Sequence, residues 1–173
     1  MDSNFKLTIL WLFAICFGIG IALFSMKKMN KDHKIKTKYD ERQLKVRGDA
    51  YRLGFFTTLI ANGIIMSLAA SDLDRCLGMN AYFIPIFIGI VTQMTYSVFK
   101  DAYFGINNKS KSYLIFMAVI GFINLTFAIL ATVNGELIED GILQAPFLNY
   151  LCGSLFIILA IDLGVKNLID KKA

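Results

Sequence analysis

Hydrophobic positions in this chain fall into five long continuous runs, roughly residues 7–26, 54–70, 81–98, 113–133 and 147–165. Each is close to the ~20 residues with which a helix crosses a hydrocarbon core ~30 Å thick. The runs lack the strict alternation of lipid-facing strands, and a backbone in lipid must satisfy its own hydrogen bonds, so the pattern predicts helices. Together they use more than half of the chain and leave no length for a separate globular domain. The expected architecture is all-α: residues 1–173 as one integral membrane domain, a bundle of five transmembrane helices.

The polar segments between the runs alternate in charge. Residues 27–53 hold ten Lys or Arg against four Asp or Glu, residues 99–112 hold three Lys against one Asp, and residues 166–173 hold three Lys against one Asp. Residues 71–80 and 134–146 are net acidic. Sixteen of the 18 basic residues therefore belong to alternate segments. Basic segments stay on the cytoplasmic side of a bilayer, so the N-terminus is expected outside and the C-terminus inside. The first run is too long for the apolar part of a secretory signal and precedes Lys27, Lys28 and Lys31, so it is expected to remain as a helix. The net charge of +5 follows from this topology and makes no case for nucleic acid. With 56% hydrophobic and only 18% charged residues, the chain is too apolar for an ordinary soluble domain.

The longest polar stretch, residues 27–53, has two parts. Lys27 to Lys38 holds six Lys with only Asp32 opposing, beside the single His33. Nothing in it is periodic, so it is expected to be solvated, with contact to anionic membrane lipid as the sharper reading. The second part predicts a helix leading into the second run. Thr37 with Asp40, or Asp40 with Gln43, has the spacing of a capping box, and Glu41 with Lys45 is a favourable i,i+4 pair. Leu44 and Tyr51 share a face that would rest at the membrane interface or dock on neighbouring helix ends.

Two phrases concentrate the side-chain chemistry. One runs Asp40-Glu41-Arg42-Gln43 and then Arg47-Gly48-Asp49-Ala50-Tyr51; the other is Asp101-Ala102-Tyr103-Phe104 followed by Asn107. Asp-Ala-Tyr occurs in both, and topology puts both at the cytoplasmic ends of helices. An Arg47–Asp101 contact is expected, with Tyr51 and Tyr103 beside it. The candidate interaction residues are thus Asp40, Glu41, Arg42, Gln43, Arg47, Gly48, Tyr51, Asp101, Tyr103 and Asn107. These phrases resemble an uncharacterised group of multi-pass membrane proteins of Gram-positive bacteria, which share an Asp-Glu-Arg-Gln segment, Arg-Gly-x-Ala-Tyr and Asp-Ala-Tyr-Phe. The resemblance implies a bacterial plasma membrane and no particular activity.

Inside the runs the notable polar residues are Asn62, Gln93, Asn124 and Asp162. Interhelical hydrogen bonding is the ordinary role of such groups, and lining a path is the rarer one. Lys166 follows Asp162 at i+4, so an interfacial pair is expected. Ala14, Gly18 and Ala22 form a small-residue stripe on the first helix, suited to packing within the bundle or to self-association as a homo-oligomer. Pro146 suits the first turn of the last helix, and Asn134-Gly135 and Gly141 suit turns. Cys16 and Cys152 lie in apolar runs and are read as small packing residues, while Cys76 lies in the outer loop; a Cys76–Cys152 disulfide is not expected, because Cys152 should lie several residues below the surface.

Hydrolase, phosphate-loop and zinc-protease signatures are absent from the sequence, and one His cannot build a histidine metal site. No enzyme activity, cofactor or metal is expected. The leading reading is a non-catalytic membrane protein acting through a cytoplasmic interaction face, as a regulatory, accessory or immunity-type subunit with a protein partner. The alternative is a small transporter or channel using the polar residues within the runs.

Overall fold

A computed structural model of the chain describes residues 3–68 and 72–171. It is predominantly helical: α1 (Ser3–Met29), α2 (Glu41–Ser67), the short α3 (Asp72–Leu77), α4 (Asn80–Phe99), α5 (Ser110–Val133) and α6 (Phe147–Asp170). The described strands are β1 (Ile138–Glu139) and β2 (Ile142–Leu143), paired antiparallel. Three helices, α4, α5 and α6, are long and apolar enough to cross a membrane.

Four long helices pack in the order α2, α4, α6, α5. The α2–α4 pair is antiparallel and meets through a stripe of small residues. Ala50, Gly54 and Ala61 on α2 and Ala81, Gly89 and Ser97 on α4 are buried. At the crossing the backbones touch: a Cβ on Gly54 would lie 2.8 Å from the carbonyl oxygen of Gly89, and a Cβ on Gly89 would lie 2.8 Å from that of Gly54. Helices that lack a hydrophobic drive to associate in lipid use such close approach to gain van der Waals contact. Between α5 and α6 the same logic places Gly121 against Phe156 and Gly153 against Leu125. The apolar core lies where α4 and α6 meet, around Met94, Val98 and Leu159, with Leu114 and Met117 of α5 and Tyr103 packed on it.

Side-chain pairs set the helix directions. Thr95 meets Asp162 and Asp101 meets Lys166, so α4 and α6 run the same way. Thr132 meets Tyr150, so α5 and α6 run oppositely. One end of the packed helices therefore gathers residues 30–47, 100–109 and 166–170. The opposite end gathers the start of α4 and the β-hairpin, tied by Asn80, whose side-chain amide donates to the carbonyl of Leu143 at 2.7 Å. Asp140 and Gly141 both have positive φ, 50° and 76°, as a tight two-residue hairpin turn demands.

The helix expected to lead into the second run forms, continuous with it as one 27-residue helix. Other sequence expectations are corrected. Leu44 and Tyr51 share a face, as expected, but it is exposed and not docked on neighbouring helix ends; α2 turns Gln43, Ala50 and Gly54 inward. α1 meets the other helices chiefly where its last turns lie beside the start of α5. Gly18 and Ala22 are exposed there and not packed, and the side chain of Ala14 lies outside the described residues. Asp162 does not pair with Lys166: its carboxylate accepts from the Thr95 hydroxyl at 2.7 Å, while Lys166 pairs with Asp101 and Asp170. Glu41 and Lys45 form no ion pair among the described residues. The three cysteines are free thiols.

Candidate functional site

Chain reversal after α4 creates the site. Asp101 takes a left-handed conformation, φ 54°, directly beyond the helix. The carbonyls at a helix C-terminus have no intrahelical donors and carry partial negative charge. Three consecutive carbonyls there are met by side chains of α2. Arg42 donates to the carbonyl of Lys100 at 2.9 Å, Gln43 to that of Asp101 at 2.9 Å and of Phe104 at 3.2 Å, and Arg47 to that of Ala102 at 3.4 Å. Gln43 is aimed by the capping box of its own helix: its backbone N–H donates to the Asp40 carboxylate at 2.6 Å, and its side-chain oxygen accepts from the Asp40 N–H at 3.3 Å. The box thus starts α2 and positions the amide that grips the 101–104 turn.

Arg47 is the centre of this arrangement. Its guanidinium carbon lies 4.2 Å from the Tyr39 ring centre and 5.4 Å from that of Tyr51, and it donates to the Tyr51 hydroxyl at 2.6 Å. The two Asp-Ala-Tyr phrases therefore meet at one guanidinium, and Ala50 and Ala102 are both fully buried. The expected Arg47–Asp101 ion pair does not form. The Asp101 carboxylate points away, to Lys166 at 3.3 Å. Tyr103 stands edge-on to Phe104, with ring centres 4.9 Å apart, and its hydroxyl faces the Met117 sulfur. Burial first, and then nearby Tyr39, push the Tyr103 phenol up to about 12 against the opposing pull of Arg47. Tyr39 is also raised, by burial. Both phenols stay protonated and act as rigid packing groups with a polar tip.

The segment 30–38 keeps most of its side chains exposed, as expected of a solvated segment, but its backbone is folded onto the 105–109 loop. Three amides hold it. The Asn108 side chain donates to the Asn30 side-chain oxygen at 2.6 Å and accepts from the Gly105 N–H at 2.6 Å. Asn30 in turn donates to the carbonyl of Lys34 at 2.6 Å. The Asn107 side chain accepts from the Lys38 N–H at 2.8 Å and donates to Asp32 and to the carbonyl of Lys36, both at 3.1 Å. All three asparagines are buried. Sequence reasoning named Asn107 but missed Asn30 and Asn108. Their signal is slight: uncharged amides standing among lysines, with no periodic pattern to mark them.

Asp32 completes this loop pair, 3.0 Å from the Lys38 ammonium, and the Lys38, Asn107 and Lys34 donors hold its carboxyl down at about 2. An unfolded Asp titrates near ~3.9. The depressed value means that its contribution is fully present above that pH and is lost as pH falls through about 2. Hydrogen-exchange protection of residues 33–38, corrected for intrinsic rates, should stay level from neutral pH to about pH 4 and collapse below it. Loss already between pH 7 and 5 would contradict this assignment.

The other candidates do not converge. Asn62 and Asn124 each donate to a carbonyl one turn back in their own helix, of Thr58 at 3.0 Å and Ile120 at 2.9 Å. Gln93 sits at the α2–α4 crossing beside Gly54. Among the described residues, no group of three or more His, Cys, Asp or Glu is placed to hold a metal.

What remains available on the outside is the opposite face of the first turns of α2. Glu41 and Gly48 are exposed, Leu44 is 57% and Tyr51 51% exposed, and a Cβ on Gly48 would meet nothing within 4 Å. Asp49, Arg52, Leu53 and Phe56 line a shallow hollow of about 330 Å³ closed by Tyr96 of α4. Comparison of the chain with family models, curated proteins and solved structures finds no match.

Proposed function

We propose that this is a non-catalytic plasma-membrane protein, in keeping with the bacterial group its phrases resemble, that docks a protein partner on the cytoplasmic face. Five helices cross the bilayer, with the N-terminus outside and the C-terminus inside. The basic segments around residues 30–52, 100–111 and 166–171 gather at one end of the packed helices and the acidic hairpin segment at the other. That supports the orientation.

The observation that carries the docking reading is the Leu44–Gly48–Tyr51 stripe. Two large side chains lie open on a helix that leaves its packed face to α4, with charged neighbours Glu41, Lys45 and Arg52 beside them. Gly48 between them costs an exposed helix about 0.5–1 kcal/mol relative to Ala. A glycine flanked by an exposed Leu and Tyr suits the close approach of another backbone. The inward groups Gln43, Arg47 and Asn107 serve as scaffold, so the partner would read Glu41, Leu44, Gly48 and Tyr51. The transporter reading has less support, because Asn62 and Asn124 spend their hydrogen bonds within their own helices and Asp162 is tied to Thr95 of α4.

Single-cysteine variants in a Cys-free background test both parts. An impermeant thiol reagent applied to intact cells should label a cysteine at Glu139 and not one at Gly48. A photo-crosslinker at Gly48 should give a discrete heavier product, abolished by Leu44→Asp, whereas one at lipid-facing Phe122 should not. Labelling at Gly48 from outside would reverse the topology. The absence of any Leu44-dependent product would remove the docking face.

A further inference from the structure

A groove of about 530 Å³ opens between the last turns of α1 and the first turns of α5. Its floor and walls are apolar: Phe24, Met29, Ile115, Phe116 and Val119. Its rim carries Lys28, Lys109, Ser25 and Ser112, with no carboxylate among the lining residues. The rim is well fixed. The Lys109 N–H donates to the carbonyl of Met29 at 2.9 Å, and the Lys109 ammonium lies 3.4 Å from the carbonyl of Lys28. The Lys109 ammonium therefore lies beside the Lys28 backbone, at the end of the helices where the basic segments collect. From there the groove runs toward the apolar parts of the two helices, which diverge.

We propose that this groove binds an anionic phospholipid of the inner leaflet. Its phosphate would sit between the ammonium groups of Lys28 and Lys109 and the hydroxyls of Ser25 and Ser112. An acyl chain would lie along Phe24, Phe116 and Val119. Two cations and two hydroxyls at the mouth of an otherwise apolar slot match a headgroup and a chain in that order. A free phosphate would use only the mouth and a neutral lipid only the slot. Basic pockets between helices on the cytoplasmic side hold anionic headgroups by this chemistry. The site rests on the proposed membrane placement but not on the docking face, which lies on α2. Its lipid would also fill the space that α1 leaves open and tie that helix to the bundle.

Native mass spectrometry of the full chain released from nanodiscs tests it. Phosphatidylglycerol should remain bound and phosphatidylcholine should be lost. Lys28→Gln with Lys109→Gln should weaken phosphatidylglycerol retention on the order of thirtyfold, given about 1 kcal/mol for each of the two basic residues at an anionic surface. Lys34→Gln with Lys36→Gln, which removes the same charge outside the groove, should leave it unchanged, and Lys109→Arg should preserve it. Phe116→Ala should weaken it too, and excess inorganic phosphate should not displace the lipid. Equal retention of the two lipids, or equal loss in both lysine pairs, would reduce the effect to bulk charge and overturn the site. Displacement by phosphate would make it an anion site instead. Melting in phosphatidylcholine nanodiscs, measured alongside, reports membrane placement separately.

Discussion

Gly89→Leu should separate α2 from α4 and destabilise the bundle on the order of 3 kcal/mol, at the upper end of what overpacking costs. A side chain there has no space: its Cβ falls on the Thr58 hydroxyl and 2.8 Å from the carbonyl of Gly54. Thr58 cannot swing away freely, because its hydroxyl donates to that same carbonyl at 2.9 Å. Even Gly89→Ala should cost stability for this reason. The matched control is Gly48→Ala, on the open side of α2, where nothing lies within 4 Å. It should stabilise the helix by about 0.5–1 kcal/mol, since the new Cβ meets only solvent and the helix gains Ala propensity. Reversible unfolding in mixed micelles, read by circular dichroism, would give opposite signs for the two alanine variants. The same sign for both would mean that the crossing is looser than its backbone contact implies. Separation of α2 would also withdraw Arg42, Gln43 and Arg47 from the 100–104 carbonyls in Gly89→Leu, whereas Gly48→Ala should leave those contacts in place.

The long apolar runs were legible as helices because the residues needed to cross a hydrocarbon core are counted directly, and α4, α5 and α6 are long and apolar enough to do so. The α4, α5 and α6 spans differ from the runs by a few residues at their polar ends, where helices continue past the apolar part. The capping box at Asp40 and Gln43 was legible because it is a local pattern with one geometry. The Asp-Ala-Tyr phrases gave away their neighbourhood but not their partners. Which side chain meets Arg47 depends on the left-handed turn at Asp101, which sends that carboxylate toward α6 and leaves main-chain carbonyls facing α2. Nothing in the spacing of charges encodes such a turn. Residues 30–38 misled for a related reason. Lysine-rich composition indicates exposed side chains, which these are, but hides that the backbone is held by uncharged amides, Asn30 within the segment and Asn107 and Asn108 from the loop after α4. The hydrophobic pattern likewise says that α1 is apolar and cannot say that it stands apart from α2, α4 and α6, since lipid and a neighbouring helix look alike to a leucine.

Asn108→Ala should release that segment and lower stability by about 2–4 kcal/mol, because the Gly105 N–H is left unmade, at about 1–3 kcal/mol, and the Asn30 side-chain oxygen loses one of its two donors, at about 1 kcal/mol. The Gly105 N–H loses its acceptor, and the Asn30 side-chain oxygen keeps only the Tyr113 hydroxyl at 3.3 Å. Trypsin should then cut after Lys34 and Lys36, which the folded loop protects. A sharper version is Asn108→Asp. It keeps an acceptor for Gly105 but sets a carboxylate oxygen against the Asn30 oxygen, 2.6 Å from the present donor. Two acceptors at that distance repel, so Asn108→Asp should be at least as damaging as alanine at neutral pH. Protonation turns the offending oxygen into a donor. The introduced carboxyl should therefore have a folded pKa raised above the unfolded ~3.9. A raised carboxyl pKa means that the folded state binds the proton more tightly, so relative to wild type the variant should regain stability as pH falls through that value. Unfolding of the three proteins from pH 7 to pH 4 would show it. Parallel curves for the aspartate and alanine variants would mean that Asn108 fills space without bridging Asn30 and Gly105. Convergence of the aspartate variant on wild type at low pH would identify Asn108 as a bridge between Asn30 and Gly105, and so as one of the amides that tie the 30–38 and 105–109 loops together.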